Sequence, residues 1–106
     1  MEEIVLAEKS IELIRKDFDL PDGALIAEDP WGQLFDQLKP IIKRMLDGDF
    51  NQLLIILYRI DVPENQVKEI LEMANPSDLS DEITNAIIAR QKQKVILRSK
   101  YSSENQ

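Results

Sequence analysis

Between Asp49 and Asp61 the chain reads Phe-Asn-Gln-Leu-Leu-Ile-Ile-Leu-Tyr-Arg-Ile, with only Asn51, Gln52 and Arg59 polar. No other stretch is as apolar, so any core this chain builds has to run through residues 50–60. Asp47-Gly48-Asp49 on one side and Asp61-Val62-Pro63-Glu64 on the other are punctuation that ends regular structure. At helical spacing Phe50, Leu53, Leu54, Leu57 and Ile60 share one face, and Gln52 and Arg59 fall opposite. Ile55, Ile56 and Tyr58 widen the apolar arc. The β-branched and aromatic content would also suit a strand. Only residues 24–27 and 95–97 could pair with one, so the spacing predicts a helix. This helix is expected to be the most enclosed element, with Arg59 on a solvated edge.

The neighbouring segments follow the same period. Ile4, Ala7, Ile11, Ile14 and Phe18 step by three and four, which predicts a first helix over residues 3–19. Leu6, Leu13 and Leu20 recur every seven residues on nearly the opposite face, so this helix has apolar residues to place on two sides. Pro21-Asp22-Gly23 is a turn, followed by a linker over residues 24–27. Asp29-Pro30 is a helix start, with Asp at the cap and Pro at the first helical position. That second helix should reach about residue 47, carrying Leu34, Leu38, Ile41, Ile42 and Met45 on one face. Pro40 removes a backbone donor in its middle and predicts a kink there, or else two short helices.

Gly48 should stop it and Asp49 cap the third helix. Asp61-x-x-Glu64 has capping-box spacing for a fourth, with Val67, Ile70, Leu71 and Ala74 apolar. Ser77 or Ser80 would cap the last, where Leu79, Ile83, Ala86 and Ile87 make a stripe. Arg90 and Lys94 interrupt that stripe, and Leu97 and Tyr101 resume it. Ile88 and Val95 point elsewhere. The expectation is all-α: a compact bundle of four to five helices around a central helix at about 50–60. It forms one domain over residues 1–101 with a flexible tail at 102–106.

Composition narrows the chemistry. The chain of 106 residues has 20 Asp and Glu against 13 Lys and Arg, a net charge of −7. Non-specific nucleic-acid or anionic-membrane binding rests on clustered positive charge, which this balance opposes. The longest uninterrupted apolar run, Leu53 to Tyr58, falls far short of the roughly 18–20 residues of a membrane span. Met1-Glu2-Glu3-Ile4 lacks the positive start of a secretory signal. With no cysteine and no histidine, thiol chemistry, the common zinc sites and the His-dependent triads and dyads have no residues to work with. A cytoplasmic protein without cofactor is the expectation, and no enzyme motif is present.

Three constellations bear on function. Arg90, Lys92, Lys94, Arg98 and Lys100 lie in one stretch without an acid, and the rest of the chain holds eight basic against twenty acidic residues. Such a run could dock an acidic partner or contact nucleic acid, but cations near a helix C-terminus also suit its dipole. Asp47-x-Asp49-x-Asn51 matches the opening of a calcium loop, yet Gln52 replaces the turn glycine and Tyr58 the bidentate acid. No metal is expected. Residues 50–74 could be called a helix-turn-helix, but Glu64, Glu69 and Glu72 outnumber Lys68 where DNA phosphates would lie.

The run Leu57-Tyr58-Arg59-Ile60-Asp61-Val62-Pro63-Glu64, with Val67 and Ile70 after it, resembles a segment of small uncharacterised helical proteins of Bacteroidetes-type bacteria. The resemblance implies a bacterial cytoplasmic protein and brings no catalytic residue with it. The residues themselves favour a protein–protein interaction or assembly module, homodimerisation included, with Leu6, Leu13, Ile88 and Val95 as the candidate partner interface. A small-molecule binder or minor enzyme with a pocket near Trp31, Tyr58 and Pro40 is the alternative. A weak nucleic-acid-binding regulator working through the basic last helix is a third.

Overall fold

Each helix in the computed structural model, which describes residues 2–23, 25 and 28–104, begins or ends where the sequence supplies a reason. Among the described residues there are five: α1 (Glu3–Arg15), α2 (Pro30–Gly48), α3 (Phe50–Arg59), α4 (Glu64–Met73) and α5 (Leu79–Glu104). α1 stops earlier than its apolar pattern. Lys16 and Asp17 tighten the last turn onto the Leu13 and Ile14 carbonyls, and Phe18 and Leu20 then enter the core outside the helix. Of the linker expected at 24–27, only Leu25 lies within the described residues; it packs against the core.

At the start of α2 the Asp29 carboxylate accepts the Gly32 N–H at 3.1 Å and Pro30 takes the first turn, as the sequence indicates. The helix then runs unbroken through Pro40 to Gly48. Pro40 is exposed, and so is Asp36, whose carbonyl it deprives of a donor. Water can satisfy that group, so the helix has no need to break. Asp49 alone separates α2 from α3. Its N–H bonds to the Met45 carbonyl at 2.8 Å, its own carbonyl starts α3, and its side chain makes no capping bond.

α5 begins at Leu79, directly after Asp78, so neither Ser77 nor Ser80 holds the cap position. Ser80 and Thr84 are buried inside the helix, the Thr84 hydroxyl donating to the Ser80 carbonyl at 2.7 Å. Residues 102–104, expected to fray, continue the helix; residues 105–106 lie outside the described residues.

The axis of the bundle is α5, not α3. α1, α2 and α4 all pack on α5, whereas α3 packs chiefly on α2. Length is one reason. At 1.5 Å per residue α5 is about 39 Å long and α3 about 15 Å, and the molecule's long dimension is 44 Å. Exposure is the other. α3 commits Leu53, Ile56, Leu57 and Ile60 to the core but leaves Ile55 52% and Tyr58 72% exposed. The wide apolar arc of residues 50–60 is therefore covered on one side only. The core itself joins Ile11 and Ile14 of α1, Leu34, Leu38 and Ile42 of α2, and Ile83 and Ile87 of α5 to those α3 residues.

Candidate interaction surface

The corner between α3 and α4 is built on Asp61. Its φ of +64° is left-handed, the only such value at a non-glycine among the described residues. Val62 N–H bonds back to the Leu57 carbonyl and Asp61 N–H to the Tyr58 carbonyl, both at 3.1 Å. That pair of bonds is a Schellman C-cap, and the apolar contact it favours, between Leu57 and Val62, joins two buried residues. Asp61 thus ends α3 rather than capping α4, which starts at Glu64 behind Pro63 without a side-chain cap. The capping-box spacing was misleading because the left-handed turn uses the same Asp first. α5 clamps this corner: Arg90 Nε donates to the Ile60 carbonyl at 3.1 Å, and its guanidinium lies 3.9 Å from the Asp61 carboxylate.

The corner joins α3 to α4, and residues of both helices line a groove of about 390 Å³. Leu57, Val62 and Val67 are buried beneath it, and Leu54 and Leu71 are half-buried in its walls. Tyr58 stands at the edge, with Glu64, Lys68 and Glu72 supplying charge. An apolar floor with a polar rim has the make-up of a surface that receives an apolar segment. Sequence reasoning offered Tyr58 for a pocket but with Trp31 and Pro40, not with the α4 residues that line this groove. The available signal was the shortness of α3 and α4, which leaves too little helix to cover every apolar residue.

The residues singled out by sequence are dispersed. Leu6, Ile88 and Val95 are buried within the chain and Leu13 is half-buried. α1 and α5 pack on each other, and within the single chain these apolar side chains are largely enclosed. The exposed apolar residues of α5 are Ile96, Leu97 and Tyr101.

The basic stretch does not present a single face either. Lys92 sits 4.6 Å over the Trp31 ring, whose indole N–H donates to the Glu3 carboxylate. Arg90 is tied to Ile60 and Gln93. Lys94 is half-buried; burial, reinforced by the Arg90 guanidinium, lowers its amine below the ordinary 10.5. Arg98 and Lys100 are exposed.

Trp31 is not among the residues lining the groove that Tyr58 edges. Arg59, expected on a solvated edge, reaches Asp17 at 2.8 Å; the Asp17 side chain is only 9% exposed. Among the described residues, no group of three or more acidic side chains could hold a metal ion, and no helix is long and apolar enough to cross a membrane. No family model matches the chain, no curated protein matches its sequence and no solved structure matches its fold.

Proposed function

We propose that this chain is a non-catalytic interaction module whose α3–α4 groove receives an apolar helical segment from a protein partner. The observation carrying this reading is the groove itself. Its buried floor of Leu57, Val62 and Val67 is edged by Tyr58, which is 72% exposed, and Ile55 of the same helix is also left uncovered. A short helix presenting apolar residues at i, i+3 or i+4 is the shape such a groove accommodates. The acids Glu64 and Glu72 at its edge select cations flanking that apolar face. Placement at the groove replaces the earlier expectation of Leu6, Leu13, Ile88 and Val95, which are largely occupied within the chain.

The test uses a fluorescently labelled amphipathic peptide with an apolar face and flanking lysines, followed by anisotropy against the full chain. Binding should saturate, and Tyr58→Glu should weaken it by about tenfold or more while leaving the circular dichroism spectrum unchanged. Binding that ignores Tyr58→Glu, or no binding to the wild-type chain, contradicts the reading.

A further inference from the structure

α5 carries a stripe at positions 83, 87, 90, 94, 97 and 101, spaced by fours and threes on one helical face. Its first part is core: Ile83 and Ile87 are buried. At Arg90 the stripe reaches the end of α3, where the guanidinium meets the Ile60 carbonyl. Past that point it has run out of bundle. Leu97 is 41% and Tyr101 62% exposed, and neighbouring Ile96 is also exposed. The opposite side of the same segment is occupied, since Gln91 and Val95 are buried. This end of α5 is therefore a helix with one face committed and an apolar face open.

We propose that the segment filling the α3–α4 groove is the C-terminal end of α5 from a second copy of this chain. The two copies insert their α5 ends into each other's grooves to form a reciprocal dimer. The inference rests on the groove reading above and names its occupant. Charge complementarity selects that occupant. The groove is edged by Glu64 and Glu72 around one Lys68, and Glu69 adds to the acidic surface of α4. The exposed apolar residues of the α5 end are flanked by Arg98 and Lys100, both of them exposed.

Two copies each carrying −7 repel in most orientations. Setting Arg98 and Lys100 of one against the acidic α4 of the other reverses the sign locally. The arrangement is self-complementary, since every copy has both a groove and an end, and reciprocal exchange closes it at two.

Sedimentation equilibrium of the full chain over a micromolar to millimolar series tests this. The wild type should pass from the 12.2 kDa chain mass to twice that mass. Reversing the groove charges (Glu64→Lys with Glu72→Lys) or the helix charges (Arg98→Glu with Lys100→Glu) should each weaken the dimer by about tenfold or more. Combining all four should restore it. These side chains are exposed, and circular dichroism confirms that each variant stays folded.

A dimer indifferent to both reversals lies on another face and overturns the proposal. If the chain stays at 12.2 kDa throughout while the labelled basic peptide binds and Tyr58→Glu abolishes that binding, self-docking is wrong and the groove reading stands. If neither the second copy nor the peptide binds, both fall.

Discussion

At the residue scale, ion pairs in this protein matter according to how buried their acid is. Arg59 looks expendable, being 58% exposed, but the Asp17 carboxylate it holds is nearly buried. Removing the cation strands that carboxylate. Arg59→Ala should therefore cost about 1–2 kcal/mol in urea unfolding, more than the ~0.5 kcal/mol of an ordinary surface substitution. A cost below ~0.5 kcal/mol would show that solvent screens the pair.

Lys94 gives a pH signature. Burial, then the Arg90 charge, lowers its folded-state pKa below the 10.5 of the unfolded chain. Between those two values the unfolded state binds more protons than the folded state. The contribution of Lys94 to stability consequently rises with pH through that alkaline window. Lys94→Met should flatten the slope relative to wild type, measured as urea midpoints from pH 8 upward. An unchanged slope would remove Lys94 from the account.

At the element scale, helix ends rather than helix bodies determine where the surface lies. The left-handed Asp61 is what lets α3 stop and α4 begin alongside it. Asp61→Gly should be within about 1 kcal/mol of neutral, relief of the left-handed strain offsetting the lost contact with Arg90. Asp61→Val should cost about 1–2 kcal/mol or more, because a β-branched residue resists that conformation. Equal effects of the two would mean the turn is not left-handed in solution.

The two faces of α3 give a matching contrast. Leu57→Ala removes a buried side chain and should cost roughly 2–5 kcal/mol. Ile55→Ala should stay within about 0.5 kcal/mol, since Ile55 is half exposed. Chemical denaturation midpoints separate the two outcomes.

At the scale of the whole molecule, the number and order of helices were legible because the apolar stripes have a 3.6-residue period and the first four are followed by Asp, Pro or Gly. The Asp29 cap and Pro30 were readable for the same local reason. What sequence could not supply was how stripes are shared between elements. Leu6 and Val95 looked surplus because each helix was read alone, whereas both are buried within the single chain.

Residues 50–60 looked central because they are the most apolar, yet α3 packs chiefly on α2, and the helix that the others share is the longest one. Of the two outcomes Pro40 allowed, a kink or two short helices, the second is not seen: α2 continues through it. The candidate site was legible only as residues: Tyr58, Glu64, Arg98 and Lys100 are all visible in the chain. Their grouping into a groove and a protruding end depends on the Asp61 corner and on how far α5 outruns α3.

Those two surfaces carry the account's central proposal, and their meeting can be measured directly. The chain has no cysteine, so Ser102→Cys provides a single attachment point for a nitroxide on the α5 end. Labelled, isotopically silent copies mixed with ¹⁵N-enriched unlabelled copies report only contacts between molecules. The account predicts paramagnetic broadening of amides around Leu54, Tyr58 and Leu71 in the unlabelled copies. Broadening centred elsewhere, or none at concentrations where dimer is present, would contradict it.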